Sequence, residues 1–167
     1  MNDTQAYIRI ATPSDGEKLR AMFARSSQKT IYRRFHIPYP EVPDWMIALM
    51  LEADHHDKES LVAVAEEKIV GHAMYAREGD DGEAEMAILV EDEWQSKGIG
   101  KSLLSELEQR ARPRGIGVFV GEVLGENRPM LGLAARSFSG TGYAIEDGVY
   151  HVRMPLREAA APDLRAA

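Results

Sequence analysis

The segment EAEMAILVEDEWQSKGIGKSLLSELEQRA, from Glu83 to Ala111, constrains this chain more than any other. An apolar run feeds an acidic loop, two glycines and a helix whose Ile99, Leu103, Leu104, Leu107 and Ala111 share one face. A strand joined to a helix through so short a connection predicts a layered α/β arrangement. Alternation puts Glu83, Glu85, Ala87 and Leu89 on one side of the strand, with Ala84, Met86, Ile88 and Val90 on the other. Toward its end the strand is apolar on both sides, as in a central strand.

The glycine loop, QSKGIGKSLL, excludes two nucleotide sites on the residues that carry their geometry. A Walker loop needs glycine where Gln95 stands, and a dinucleotide fingerprint starting at Gly98 needs one where Leu103 stands. What survives is a strand, a glycine turn and a helix N-terminus. Free N–H groups and roughly half a positive charge from the helix dipole favour an anion there, most simply a diphosphate. Two glycines also serve a plain strand-to-helix turn, and the glycines alone favour that plainer reading.

The rest of the chain alternates between strand-like and helix-like stretches. AYIRIA reads as a first strand, and Pro13, Ser14 and Asp15 open a helix through EKLRAMFARS. KTIYRRF reads as a second short helix. Pro38, Pro40 and Pro43 then impose an extended link before DWMIALMLEAD, with Asp44 as its cap. SLVAVAEE, KIVGHAMYA, IGVFVGEV and GVYHVRMPL read as strands, and NRPMLGLAARSF as a last helix. At 167 residues, 44% of them apolar and 28% charged, the chain is expected to form one α/β or α+β domain around a central mixed sheet. Residues 1–157 form that domain, with 158–167 a frayed tail.

The absence of cysteine excludes a thiolate nucleophile and a sulfur-ligated zinc. No leader-like segment opens the chain and no stretch has the length of a membrane span, so a cytoplasmic location with no membrane partner is expected. The formal charge of −7 argues against a nucleic-acid partner and favours a cationic one.

The stretch EMAILVEDEWQSKGIGKSLL resembles motif A of the GNAT superfamily of acyl-CoA-dependent N-acyltransferases, with Gln95, Ser96, Lys97, Gly98, Ile99 and Gly100 in the loop pattern. SQKTIYRRF (Ser27 to Phe35), AEMAILVEDEWQSKGIG and VLGENRPM are similar to the GNAT domain of Pat-type bacterial protein lysine acetyltransferases. The regulatory or synthetase-like domains attached in many of them are not expected within these 167 residues. The resemblance implies a mostly antiparallel mixed sheet of about six to seven strands flanked by helices. It implies acetyl-CoA as cosubstrate and no metal, with an acceptor such as a lysine of an acyl-CoA synthetase. The cosubstrate's pyrophosphate would lie on the loop and first helical turn, Gln95 to Ser102, including Lys101. Its pantetheine would lie along Ile88, Leu89 and Val90, and near Asn127 and Met130. Asn127 serves equally as a helix cap.

Acetylating an amine requires the neutral form, and freeing a lysine of its proton from a pKa of about 10.4 costs about 4 kcal/mol near neutral pH. A carboxylate base removes much of that handicap. By itself Glu85 reads as a solvated glutamate at a strand start. The resemblance implies that Glu85, rather than Glu83, is the general base. No general acid is evident: where many GNAT enzymes carry a tyrosine, this chain has Ala134 and Ala135, and Tyr143 and Tyr150 lie too far along. His55 and His56 beside Asp54 and Asp57 read as exposed loop residues rather than metal ligands. His36, His72 and His151 read as surface or strand residues, Trp94 as packing for the loop base, and Met22, Met46, Met50 and Met74 as core. Arg33 and Arg34 either meet an acidic ligand or form a solvated edge around Tyr32 and Phe35.

Overall fold

The computed structural model describes residues 5–158. The frayed tail expected at 158–167 therefore lies, save Glu158, outside the described residues. Strands are β1 (Tyr7–Ile10), β2 (Lys58–Ala65), β3 (Lys68–Ala76), β4 (Glu83–Val90), β5 (Val118–Leu124), β6 (Gly142–Glu146) and β7 (Val149–Pro155). Helices are α1 (Gly16–Arg25), α2 (Gln28–Phe35), α3 (Asp44–Leu51), α4 (Ile99–Ala111) and α5 (Arg128–Ser137). One seven-stranded sheet runs β1-β2-β3-β4-β5-β7-β6. Neighbours are antiparallel except β4 and β5, which are parallel because α4 carries the chain back between them.

Alternation sorts the strand residues into two cores. Leu61, Ala63, Ala73, Tyr75, Ala84 and Met86 pack with Leu103, Leu104 and Leu107 of α4 and Leu131 of α5. Val62, Val64 and Leu89 pack on the other face with Leu19, Met22, Ile31, Ile47 and Met50 of α1, α2 and α3. β2 serves both by alternation, and its pairing with β3 shifts register between Ala63 and Val64. Among the described residues, no helix is long and apolar enough to cross a membrane.

One expectation is corrected, and another, a surface or strand position for His72, is narrowed to a buried strand position. Asp44 is the first residue of α3 and Pro43 its cap, because the proline's fixed φ of −63° supplies the extended entry; the Asp44 carboxylate instead accepts from Arg20. His72 is fully buried at the centre of β3, where its Nε2 shares a hydrogen bond with Ser60 Oγ at 2.9 Å. Burial pushes its imidazole down to about 3, so it is neutral.

Candidate active site

The site begins where β4 and β5 part. They pair over three residues only, Glu83 to Glu85 against Val118 to Val120. Beyond that point β4 stays with β3, while β5 follows β7. The sheet opens as a V, with Glu85 at its apex. Gly121 sits in the angle, where a Cβ would stand 3.3 Å from the Met86 carbonyl.

At the top of the V, β4 runs through a turn of 3₁₀ helix, Asp92–Trp94, into the glycine loop. Ser96 and Gly98 both take left-handed backbone, with φ of 60° and 83°. The two loop glycines have different reasons. Gly98 supplies the positive φ, whereas at Gly100 a Cβ would stand 3.0 Å from Leu133 Cδ2, so there it permits the close approach of α4 and α5. The first i→i−4 bond of α4 runs from Ser102 N to Gly98 O, at 3.1 Å. The N–H groups of Ile99, Gly100 and Lys101 precede it and have no such partner within the helix. With the dipole of a thirteen-residue helix behind them they form an anion seat.

Side chains around this seat hold it rather than fill it. Gln95 Nε2 donates to the Val90 carbonyl at 2.9 Å and to Thr30 Oγ1 at 3.3 Å. The Gln95 N–H is directed back to Asp92 O. Asp92 accepts from Ser27 N, Ser27 Oγ and Thr30 Oγ1 at 2.8, 2.6 and 2.9 Å, clasping the loop to α2. Burial pushes the Asp92 carboxyl up, but these hydrogen bonds outweigh it and hold the group below its ordinary value. Lys97 lies over the Trp94 ring, its Nζ 4.9 Å from the centre, and Ser102 Oγ donates to Gly98 O. Ser96, Lys97 and Lys101 are exposed.

Leu89 and Ile99 are buried, so of the expected contact residues these two offer only main-chain groups to a ligand. Asn127 caps α5, its Oδ1 accepting from Met130 N at 3.3 Å, which leaves its amide donors for another partner.

Glu85 is exposed. It opens onto a groove of about 580 Å³ whose far wall is β5, β7 and β6, with Glu122, Tyr143, His151 and Arg153 among its lining residues. Arg153 is paired with Glu83, and His151 lies 3.4 Å from Glu122 and 3.9 Å from Glu146. Sequence reasoning missed this wall because it comes from strands that follow Glu85 by more than thirty residues. It also missed the clasp, although the acid at Asp92 and the hydroxyls at Ser27 and Thr30 were a visible signal. His55 pairs with buried Glu59, and His56 with Asp57. Among the described residues, no group of three or more His, Asp or Glu could hold a metal.

Residues 21–139 match the acetyltransferase (GNAT) family. The acetyltransferase Pat of Mycolicibacterium smegmatis is 30% identical over 127 residues, which is 74% of this chain and 38% of that protein. This chain thus spans well under half the length of that relative. The GNAT domain of S. lividans PAT has the same fold with a TM-score of 0.83 at 30% identity, covering 90% of each chain. The yncA protein of Salmonella typhimurium, solved with its cofactor acetyl-CoA, shares the fold with a TM-score of 0.71 at 22% identity, covering 95% of this chain and 98% of that one. The loop, the parted strands and these likenesses agree: the chain belongs to the acetyltransferase (GNAT) family.

Proposed function

We propose that this chain transfers acetyl from acetyl-CoA to a primary amine of a protein lysine, with Glu85 as general base. The carrying observation is that one cleft, where β4 and β5 part, has an anion seat at its top and an exposed carboxylate at its apex. The residues fit the cosubstrate. The amides of Ile99 to Lys101 suit a diphosphate, the β4 main chain from Ile88 to Val90 suits an amide-bearing arm, and Asn127 keeps donors free. Acetyl-CoA supplies an activated thioester at the end of that arm.

Glu85 takes the proton of the attacking nitrogen: an N–H bond breaks, an O–H bond forms on the carboxylate, and the nitrogen lone pair adds to the thioester carbonyl. The C–S bond then breaks, and solvent reprotonates the departing thiolate. The acceptor groove is open and Glu85 is exposed, which suits a lysine carried on a protein surface. A small-molecule site would bury most of its ligand. The excess of carboxylates over free cations along the groove suits a basic segment.

The test separates binding from chemistry. Glu85→Gln is expected to bind acetyl-CoA by calorimetry as the parent does and to lose turnover at neutral pH by about a hundredfold or more. Undiminished turnover would sink the assignment. Incubation with an acyl-CoA synthetase and free amino acids, followed by mass mapping, identifies the acceptor. Modification of free amino acids alone would move the reading to a small-molecule amine. Acetyl-CoA binding without thiol release on either acceptor would leave a non-catalytic acyl-CoA-binding module.

A further inference from the structure

Among the described residues, Arg34 on α2 is a cation without a counter-ion in contact. The residue is half-buried, and its Nε is buried with no hydrogen-bond partner. Its guanidinium lies 4.7 Å from the centre of the Phe35 ring, which is braced by Phe23 and, edge-on, by Tyr39. Among the described residues, its Nη2 reaches only the sulfur of Met74, at 3.9 Å. Burial pushes the guanidinium down to about 10, and the charge on Glu85 works against that shift.

The register shows how Arg34 comes to the same face as Glu85. Met74 pairs with Ala87 and Ala76 with Glu85, so Met74 and Glu85 are diagonal neighbours on one face of the sheet, about 7–8 Å apart. With its Nη2 reaching the Met74 sulfur, the Arg34 guanidinium lies over the same face of the sheet as Glu85 and, among the described residues, closes no salt bridge. Packing does not require the charge, since an apolar side chain of similar length would fill the space between Phe35 and Met74. A desolvated cation without a bonded partner costs stability.

We propose that Arg34 is a positioning residue for the deprotonation step: its fixed positive charge beside Glu85 disfavours the ammonium form of the acceptor and so delivers a neutral amine to the base. This rests on Glu85 being that base. The ammonium gives its first proton to solvent on entering the site. The neutral nitrogen's lone pair then adds to the thioester carbonyl as its N–H proton passes to the carboxylate of Glu85, the C–S bond breaks, and solvent protonates the thiolate. The other groups on this face do not duplicate the effect. His72 on β3 is neutral, Arg153 on β7 is paired with Glu83 on β4, His151 on β7 lies between Glu122 on β5 and Glu146 on β6, and Arg33 donates to the Glu126 carbonyl.

The experiment compares Arg34→Met and Arg34→Lys by kcat and KM for a lysine-bearing acceptor across neutral to alkaline pH, with Tm alongside. For Arg34→Met the expected kcat at neutral pH falls about tenfold, the equivalent of one pKa unit on the amine, and recovers as pH rises. Its acceptor KM holds or falls, because the ammonium form is now tolerated, and its Tm holds or rises. Arg34→Lys keeps the parent pH profile. An equal loss of kcat at every pH, or an Arg34→Lys variant as impaired as Arg34→Met, overturns the proposal. A raised acceptor KM with an unmoved pH profile also overturns it, in favour of direct recognition of an anionic group on the acceptor. Normal turnover by Glu85→Gln removes the base reading itself. An inactive Glu85→Gln beside an unmoved Arg34→Met profile removes only the role of Arg34.

Discussion

Ser27 Oγ donates to Asp92 Oδ1 at 2.6 Å, joining the cap of α2 to the turn that leads into the glycine loop, 65 residues away. The same Ser27 hydroxyl caps its own helix by accepting from Thr30 N. One hydroxyl and one carboxylate thus set where α2 begins and where the anion seat begins. With Gln95 held to both Thr30 and Val90, the loop is preorganised before any ligand arrives.

Removing the clasp should act on both stability and binding. Asp92→Ala is expected to cost about 1–3 kcal/mol, because three donors lose a charged acceptor. It should also weaken acetyl-CoA binding. Thermal melts and calorimetry on the same preparation check both, and an unchanged Kd would show that the loop holds its shape without α2.

The two loop glycines should respond differently to the same substitution. Gly98→Ala meets no neighbouring atom but a left-handed backbone, costing about 1–2 kcal/mol. Gly100→Ala meets Leu133, so its cost should shrink in a Gly100→Ala, Leu133→Ala double variant. A double-mutant cycle by chemical denaturation reads the coupling, and strict additivity of the Gly100 and Leu133 changes would refute the steric reading.

Acid should destabilise the protein through His72. Its folded value of about 3 lies below the ordinary histidine value of 6.5, so the unfolded chain binds the proton first. Its contribution is whole above about pH 6.5 and declines as pH falls toward 3, by an amount on the order of 3 to 5 kcal/mol. His72→Gln, which keeps a partner for Ser60, should flatten the fall of Tm in that window. A parallel fall in both proteins would place the acid sensitivity elsewhere.

A second acid transition should appear lower. Asp15 is held down to about 2, first by its hydrogen bonds from Arg9 and despite the opposing effect of burial. Its contribution is present above the ordinary value near 4 and is lost as pH falls through 2. Asp15→Asn is therefore expected to cost about 2 kcal/mol at neutral pH and almost nothing at the acid end. Urea denaturation at the two extremes measures the difference.

Legibility followed the range of the interactions. The leucine face of α4, the alternation of β3 and β4 and the cap at Asn127 are written in neighbouring residues, and each appears where its spacing places it. β6 escaped notice because all five of its residues are exposed, so no face of it is marked by apolar alternation. It is a strand only because β7 offers it a partner.

Backbone propensity and hydrophobic period are local, and from them the strand–loop–helix unit and the α/β class could be read along the chain, whereas Glu85 stood out as the candidate base only through the family resemblance. The parting of β4 from β5, the groove wall opposite Glu85 and the approach of Arg34 to Met74 could not be read there. They arise when segments tens of residues apart are pressed together by shared burial, and their separations depend on how two cores pack against one sheet rather than on any run of neighbouring residues.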